Sequence, residues 1–191
     1  MNIVQIVDKL KEKGVKFSEG LKEKEVVEIE ELYKIKFPPD LKEFLMYALP
    51  ISDEFINWND KSKGNINKIT DRLQWPLEGI IFDIEHNEFW LNDWGKKPST
   101  FKDSVDIATF HYNKAPKLIP ICSHRYIPST PYEYGNPIMS VYQTDIIYYG
   151  ENLLSYLLVE FKIKKYDDID FENIKKIPFW SNIIDLWVDE E

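Results

Sequence analysis

One stretch constrains this chain more than any other: Pro116–Gly150, reading PKLIPICSHRYIPSTPYEYGNPIMSVYQTDIIYYG, in which short apolar runs alternate with turn-rich polar segments. Leu118-Ile119-Pro120-Ile121, Ile138–Val141 and Ile146–Tyr149 are β-prone and too short for helices, so they predict three strands. A sheet of that kind must be covered, and the rest of the chain is expected to supply helical cover. Between the first two strands, Ser123-His124-Arg125-Tyr126 predicts a polar loop that continues through Tyr132-Glu133-Tyr134-Gly135.

Ahead of the sheet the apolar periodicity is helical. Ile3, Ile6, Val7 and Leu10 mark a first helix closed near Gly14, and Val26, Ile29 and Tyr33 mark a second through Lys22–Lys34, solvated along Glu23, Glu28 and Glu31. Phe37-Pro38-Pro39-Asp40 starts a third, with Leu41, Phe44, Leu45 and Ala48 on one face and Pro50 as its stop. Residues 51–67 read as a loop anchored by Phe55 and Trp58, with a turn over Lys61–Asn65. Ile66, Ile69 and Leu73 predict a short helix closed by Trp75-Pro76. Gly79–Ile84 then predicts a strand, Glu85-His86-Asn87-Glu88 a hairpin turn, and Phe89-Trp90-Leu91 its partner strand.

Ser99 or Thr100 can cap a helix carrying Phe101, Val105, Ala108 and Tyr112, and Asn152 can cap another with Leu154, Leu157, Leu158 and Phe161. After an acidic segment, Tyr166–Glu172, the residues Trp180, Ile183, Ile184 and Trp187 predict a terminal helix, with Asp189-Glu190-Glu191 fraying. The order implies an α+β fold: a mostly antiparallel β-sheet packed with N-terminal, inserted and C-terminal helices, over 1–191 as one domain.

Charge narrows the function. The 191 residues carry a formal charge of -9, from 33 acidic and 24 basic side chains, a balance that repels phosphate backbones and attracts basic proteins. Nucleic acid is thus not expected as a direct ligand. The single cysteine, Cys122, forms no internal disulfide and reads as a small core residue. The opening MNIVQIVDKLKEKG lacks the apolar centre of a signal peptide, and no run reaches membrane-spanning length, so a soluble, cytoplasmic protein is expected.

Chemistry-bearing motifs are sparse. His86, His111 and His124 could join Cys122 or Asp83 at a metal, but no second closely spaced ligand pair exists, so no metal or cofactor is expected. Phosphate-cradling and hydrolase signatures are missing, and His124 with Asp145 or Glu133 would lack a well-placed nucleophile, since Ser123 is its direct neighbour. Arg125 with the surrounding tyrosines suits recognition; equally, Arg125 could pair internally with Asp145 or Asp83 while the tyrosines cover the sheet edge. Trp58, Trp75, Trp90 and Trp94 could form an aromatic groove or simply core. Asp60, Asp83, Glu85, Glu88 and Asp93 could present one acidic field or a solvated face.

Four segments in this order, Phe37-Pro38-Pro39-Asp40-Leu41-Lys42-Glu43-Phe44-Leu45, Phe55-Ile56-Asn57-Trp58, Leu118-Ile119-Pro120-Ile121 and Asn136-Pro137-Ile138-Met139-Ser140-Val141, resemble the SMI1/KNR4 (SUKH) superfamily. The likeness spans about 22–161, leaving 162–191 as a C-terminal helical extension. It implies an α+β domain that binds rather than catalyses: in bacterial members, an immunity protein neutralising a secreted or contact-delivered toxin, often a nuclease, for which the acidic, aromatic-bearing chain suggests occlusion of a basic active site. The fungal members imply the alternative, a regulatory scaffold or ligand-binding module related to cell-wall synthesis. The family offers no catalytic motif to carry over. The candidate partner-binding set therefore rests on chemistry and position: Trp58, Asp60, Asp83, Glu85, Glu88, Trp90, Asp93, His124, Arg125, Tyr126, Glu133 and Tyr134, facing a basic toxin.

Overall fold

The computed structural model describes residues 2–188, without the side chains of 187 and 188, so the side chain of Trp187 and the run Asp189-Glu190-Glu191 lie outside the described residues. Helix α1 (Ile3–Glu12) opens with a capping box in which Asn2 and Gln5 exchange bonds of 3.0 Å, and it buries Ile6, Val7 and Leu10. Helix α2 (Glu23–Tyr33) ends at Lys34, whose left-handed backbone (φ 53°) turns the chain. Its buried Glu30 accepts from the Phe37 amide at 3.0 Å and the Lys36 ammonium at 2.6 Å. One carboxylate thus fixes the entry to α3 (Pro39–Tyr47).

Helix α3 stops before Ala48. Ala48–Pro50 is strand β2, paired antiparallel with β1 (Phe17–Glu19), a ribbon whose three-residue strands are too short to show an alternation in sequence.

The larger correction concerns 63–91. In place of a short helix, a strand and a hairpin stands one 24-residue helix, α4 (Lys63–His86), which begins inside the expected Lys61–Asn65 turn with Ser62 as its N-cap. A proline within a helix deprives the carbonyl four residues back of its donor. That carbonyl belongs to Arg72, and the hydroxyl of buried Tyr126 donates to it at 3.0 Å. The helix runs on through Pro76 because a residue on the sheet replaces the missing bond. Beyond it, Gly79, Ile80, Asp83 and Ile84 continue the buried face at helical spacing. At Gly79 a Cβ would stand 2.6 Å from the Gln143 Cα, so only glycine lets the helix approach. Phe89-Trp90-Leu91 forms no strand; Glu88 (φ 57°) turns the chain toward a 3-10 turn at Asn92–Trp94 and then α5 (Phe101–Tyr112), capped by Thr100.

Strands β3 (Leu118–Cys122), β4 (Arg125–Pro128), β5 (Ile138–Tyr142) and β6 (Asp145–Gly150) form an antiparallel meander in sequence order. Arg125-Tyr126 therefore belongs to a strand, and the expected loop shrinks to the turn Ser123-His124. Alternation sends Ile119, Ile121 and Ile127 into a core shared with α1–α3, β2 and α6 (Leu153–Glu160). Leu118, Tyr126, Met139, Val141, Ile146 and Tyr148 enter a second core with α4, α5 and α7 (Trp180–Val188). Between α6 and α7 lie two 3-10 turns, Tyr166–Asp168 and Phe171–Asn173. Ile169, Ile174, Ile177, Trp180, Ile183 and Ile184 fill the second core, and the Trp180 indole donates to the Pro116 carbonyl at 2.7 Å. Residues 162–186 are thus part of the body of the fold. Glu151 ties it down: burial raises its pKa, but bonds from Lys164 and Ser155 and from the Asp170 amide outweigh that and hold the carboxyl at about 2.

Candidate functional site

The β3–β4 hairpin was the first candidate, and its geometry follows from register. Arg125 lies opposite Ser140, and Ser140 opposite Ile147, on one face of the sheet. Its Nη1 donates to Ser140 Oγ at 2.9 Å, its Nε to Glu160 Oε2 on α6 at 3.1 Å, and its guanidinium lies 3.8 Å from the Tyr149 ring centroid. Arg125 does pair internally, but with Glu160, not Asp145 or Asp83. With 10% of its side chain exposed it offers little to a partner. Tyr126 is fully buried; burial pushes its hydroxyl up to about 12, keeping the proton that bonds Arg72.

His124 is held on both sides. Ser123 Oγ lies 3.1 Å from its Nδ1, and Arg125 Nη1 contacts its Nε2. Both ring nitrogens are thus engaged within the hairpin. Burial, then the charges of Arg125 and Arg72, lower the His124 pKa and keep the ring neutral. Cys122, buried beside it, has its thiol pushed up to about 12, chiefly by burial and then by Glu160.

The remaining candidates separate into distant groups. Trp58 is core, edge-on to Tyr33 (5.8 Å) and Phe37 (5.0 Å), because the aromatic loop folds over α2. Asp83 is buried, accepting from the Thr144 amide (2.8 Å) and hydroxyl (2.6 Å) and from Asn87 (2.6 Å); it anchors the β5–β6 turn and presents no charge to solvent. Asp60 precedes α4, whereas Glu85, Glu88, Trp90 and Asp93 lie at or beyond its far end. A helix of that length spans about 36 Å, so the five acids form no single field and Trp58 and Trp90 share no groove. Trp90 donates its indole N–H to the Gly95 carbonyl at 2.7 Å and meets Trp94 edge-on. The histidines stay apart: His86 packs on Phe82 and His111 on Trp94. Among the described residues no three His, Cys, Asp or Glu side chains gather as metal ligands.

Glu133 and Tyr134, by contrast, are exposed. Tyr132 and Tyr134, 52% and 62% exposed, converge with Tyr47 (46%) on a shallow, mainly apolar groove of about 450 Å³ floored by Ile3, Pro39 and Met46. The loop beneath is fixed: Asn136, fully buried, donates to the Pro128 and Pro131 carbonyls, and Lys175 reaches Glu133 at 2.7 Å. The Tyr134 hydroxyl donates to Glu43 at 3.2 Å. Tyr132 belongs to the expected recognition loop though not to the candidate set; Tyr47 was missed, although Glu43 and Tyr47 sit one turn apart on the outer side of α3, a spacing visible in the sequence.

A second groove, about 390 Å³, lies between residues 51–57 and α4 and carries Asp53, Glu54, Lys68 and Arg72 at its walls. None of these was singled out from sequence; the signal was the Lys68/Arg72 spacing.

Compared with models of protein families, with curated proteins and with solved structures, the chain matches none. Among the described residues no helix is long and apolar enough to cross a membrane.

Proposed function

We propose that this chain is a non-enzymatic binding protein of the immunity type, akin to the SMI1/KNR4 proteins its sequence resembles, which neutralises a basic cognate toxin by covering its active site. The observation that carries this reading is the tyrosine groove: three exposed tyrosines on an immobilised loop and helix, built partly on the Pro38–Leu45 segment that bears the resemblance. Tyrosine offers large contact area with a polar tip at small entropy cost, which is why it anchors protein interfaces. Glu43 and Glu133 rim the groove, and the net charge of -9 speeds encounter with a basic partner.

Co-expression with a toxin-like protein encoded beside this chain, scored by growth and by co-purification, tests the reading. Rescue and a complex that weakens on Tyr134→Ala are expected. No rescue and no complex would sink it.

A further inference from the structure

We propose that the groove between residues 51–57 and α4 is a binding site for a small zwitterion of the amino-acid class, a ligand carrying a carboxylate and an ammonium together. The volume, about 390 Å³, falls at the lower end of small-ligand pockets. Its two walls bear opposite charge. Lys68 and Arg72 stand one helical turn apart on α4, and Asp53 and Glu54 adjoin on the facing loop. Among the described residues none of these four side chains takes part in a salt bridge. Lys68 and Arg72, like charges one helical turn apart, repel each other, a cost that an anionic group in the groove would offset.

The walls are also held in place. The Glu54 carbonyl accepts from the Ser123 amide at 2.8 Å, the Ile56 amide donates to Ile121 at 3.1 Å, and Asn65 on α4 donates to the Asn57 carbonyl at 2.8 Å. Loop, sheet and helix are thereby pinned to each other around the groove. Arg72 is fixed from two directions, its carbonyl by Tyr126 and its guanidinium by the Trp75 ring at 4.5 Å. Buried Phe55 and Ile69 supply an apolar floor for an aliphatic portion. A groove whose backbone walls are fixed in this way loses little freedom when a small ligand enters.

Charge selects the class. A plain anion would meet Lys68 and Arg72 but be repelled by Asp53 and Glu54; a plain cation meets the converse. A molecule with both charges satisfies both walls: its carboxylate faces the guanidinium, which can grip it in bidentate fashion, and its ammonium faces the acidic loop. The groove shares no lining residue with the tyrosine groove, so this site stands or falls independently of the toxin-binding reading.

Calorimetry and thermal unfolding on the full chain provide the test. The probes are the standard free amino acids and di-alanine, with acetate and inorganic phosphate as anion arms and putrescine as the cation arm. At least one zwitterion should bind and raise the unfolding midpoint, while acetate, phosphate and putrescine do neither. Arg72→Met, Lys68→Met and Asp53→Asn should each weaken that zwitterion about tenfold or more, the usual order of loss when one member of a charge pair is removed. Glu133→Gln should leave its affinity unchanged. Should Arg72→Met fail to fold, Lys68→Met and Asp53→Asn carry the same test, being on exposed positions. Binding of no zwitterion overturns the proposal, as does an equal effect of phosphate or acetate alone, or zwitterion affinity unaltered in the folded variants.

Discussion

Two neighbouring segments of the chain, 122–128 and 129–136, have nearly the same chemistry and opposite fates. The first holds His124, Arg125 and Tyr126, the second Tyr132, Glu133 and Tyr134. Arg125 and Tyr126 are built into a strand flanked by two others, so register turns one side chain onto α6 and the next onto α4. The second segment leaves the sheet, and its backbone is secured from below by Asn136 and Lys175 while its tyrosines face outward. Recognition-type residues therefore serve structure in one place and are displayed in the other. Composition does not decide between them; the presence of a paired strand on each side does.

The sharpest way to break this contrast is Arg125→Ala. Glu160 would be left without its partner in a site about four-fifths covered. Removing one member of a buried pair costs roughly 3–5 kcal/mol, and the partial exposure of Glu160 argues for about 3. Urea unfolding measures it. Arg125→Ala with Glu160→Gln should recover part of the loss, because the stranded charge is gone. A loss under about 1 kcal/mol, the size of an exposed pair, would mean that the hairpin is as solvated as the neighbouring loop.

Next comes Tyr126→Phe, which leaves the Arg72 carbonyl without a donor in a buried place and should cost about 1–3 kcal/mol. The cost should shrink in a Pro76→Ala background, where the alanine amide can supply the bond. A double-mutant cycle on unfolding free energies reads the coupling, and additivity would refute the link between proline and tyrosine.

That link also explains how far the sequence could be read. Helices α1, α2, α5 and α6 were legible because their apolar stripes and caps, such as Asn152 and Thr100, lie within a few residues of each other. The strands β3, β5 and β6 were legible as short apolar runs. Helix α4 was not, because the donor that lets it pass Pro76 is 54 positions from the Arg72 carbonyl it serves, and no local rule foresees it. The β-branched run Gly79–Ile84 misled for the same reason: Gly79 and Asp83 make sense only against Gln143 and Thr144. At the candidate site Glu133 and Tyr134 were found by type. Tyr132 was read as part of the same loop, whereas Tyr47 became visible only once α3 and the 131–135 loop were brought together.

Acid and alkali should separate the two segments as well. Burial and two guanidiniums hold the His124 pKa below its ordinary 6.5, so on acidification the unfolded chain takes up this proton first. Stability should therefore fall as the pH drops below 6.5 and level off once the folded pKa is passed. His124→Gln should flatten that part of the curve of unfolding free energy against pH. Tyr134 responds at the other extreme: the Glu43 carboxylate and the hydrogen bond to it raise the phenol's pKa. Absorbance titration should show the Tyr134 contribution shifting down in Glu43→Gln, while His124→Gln leaves it in place.

The smallest effect on folding belongs to Tyr134→Ala, and it completes the contrast. The side chain is 62% exposed, its one bond is to a solvated carboxylate, and the loop's backbone anchors are untouched by its loss. Surface truncations of this kind change stability by no more than about 0.5 kcal/mol. The same truncation removes a ring from the groove that is proposed to hold the partner, where an aromatic anchor is worth roughly 2 kcal/mol or more. Unfolding midpoint and partner affinity should hence diverge: an unchanged midpoint with at least tenfold weaker capture of the toxin. Arg125→Ala should give the reverse, a large loss of stability, with affinity preserved for the fraction that remains folded. If both variants lowered stability and affinity in parallel, the tyrosine loop would be doing structural work like the hairpin, and the division between them would collapse.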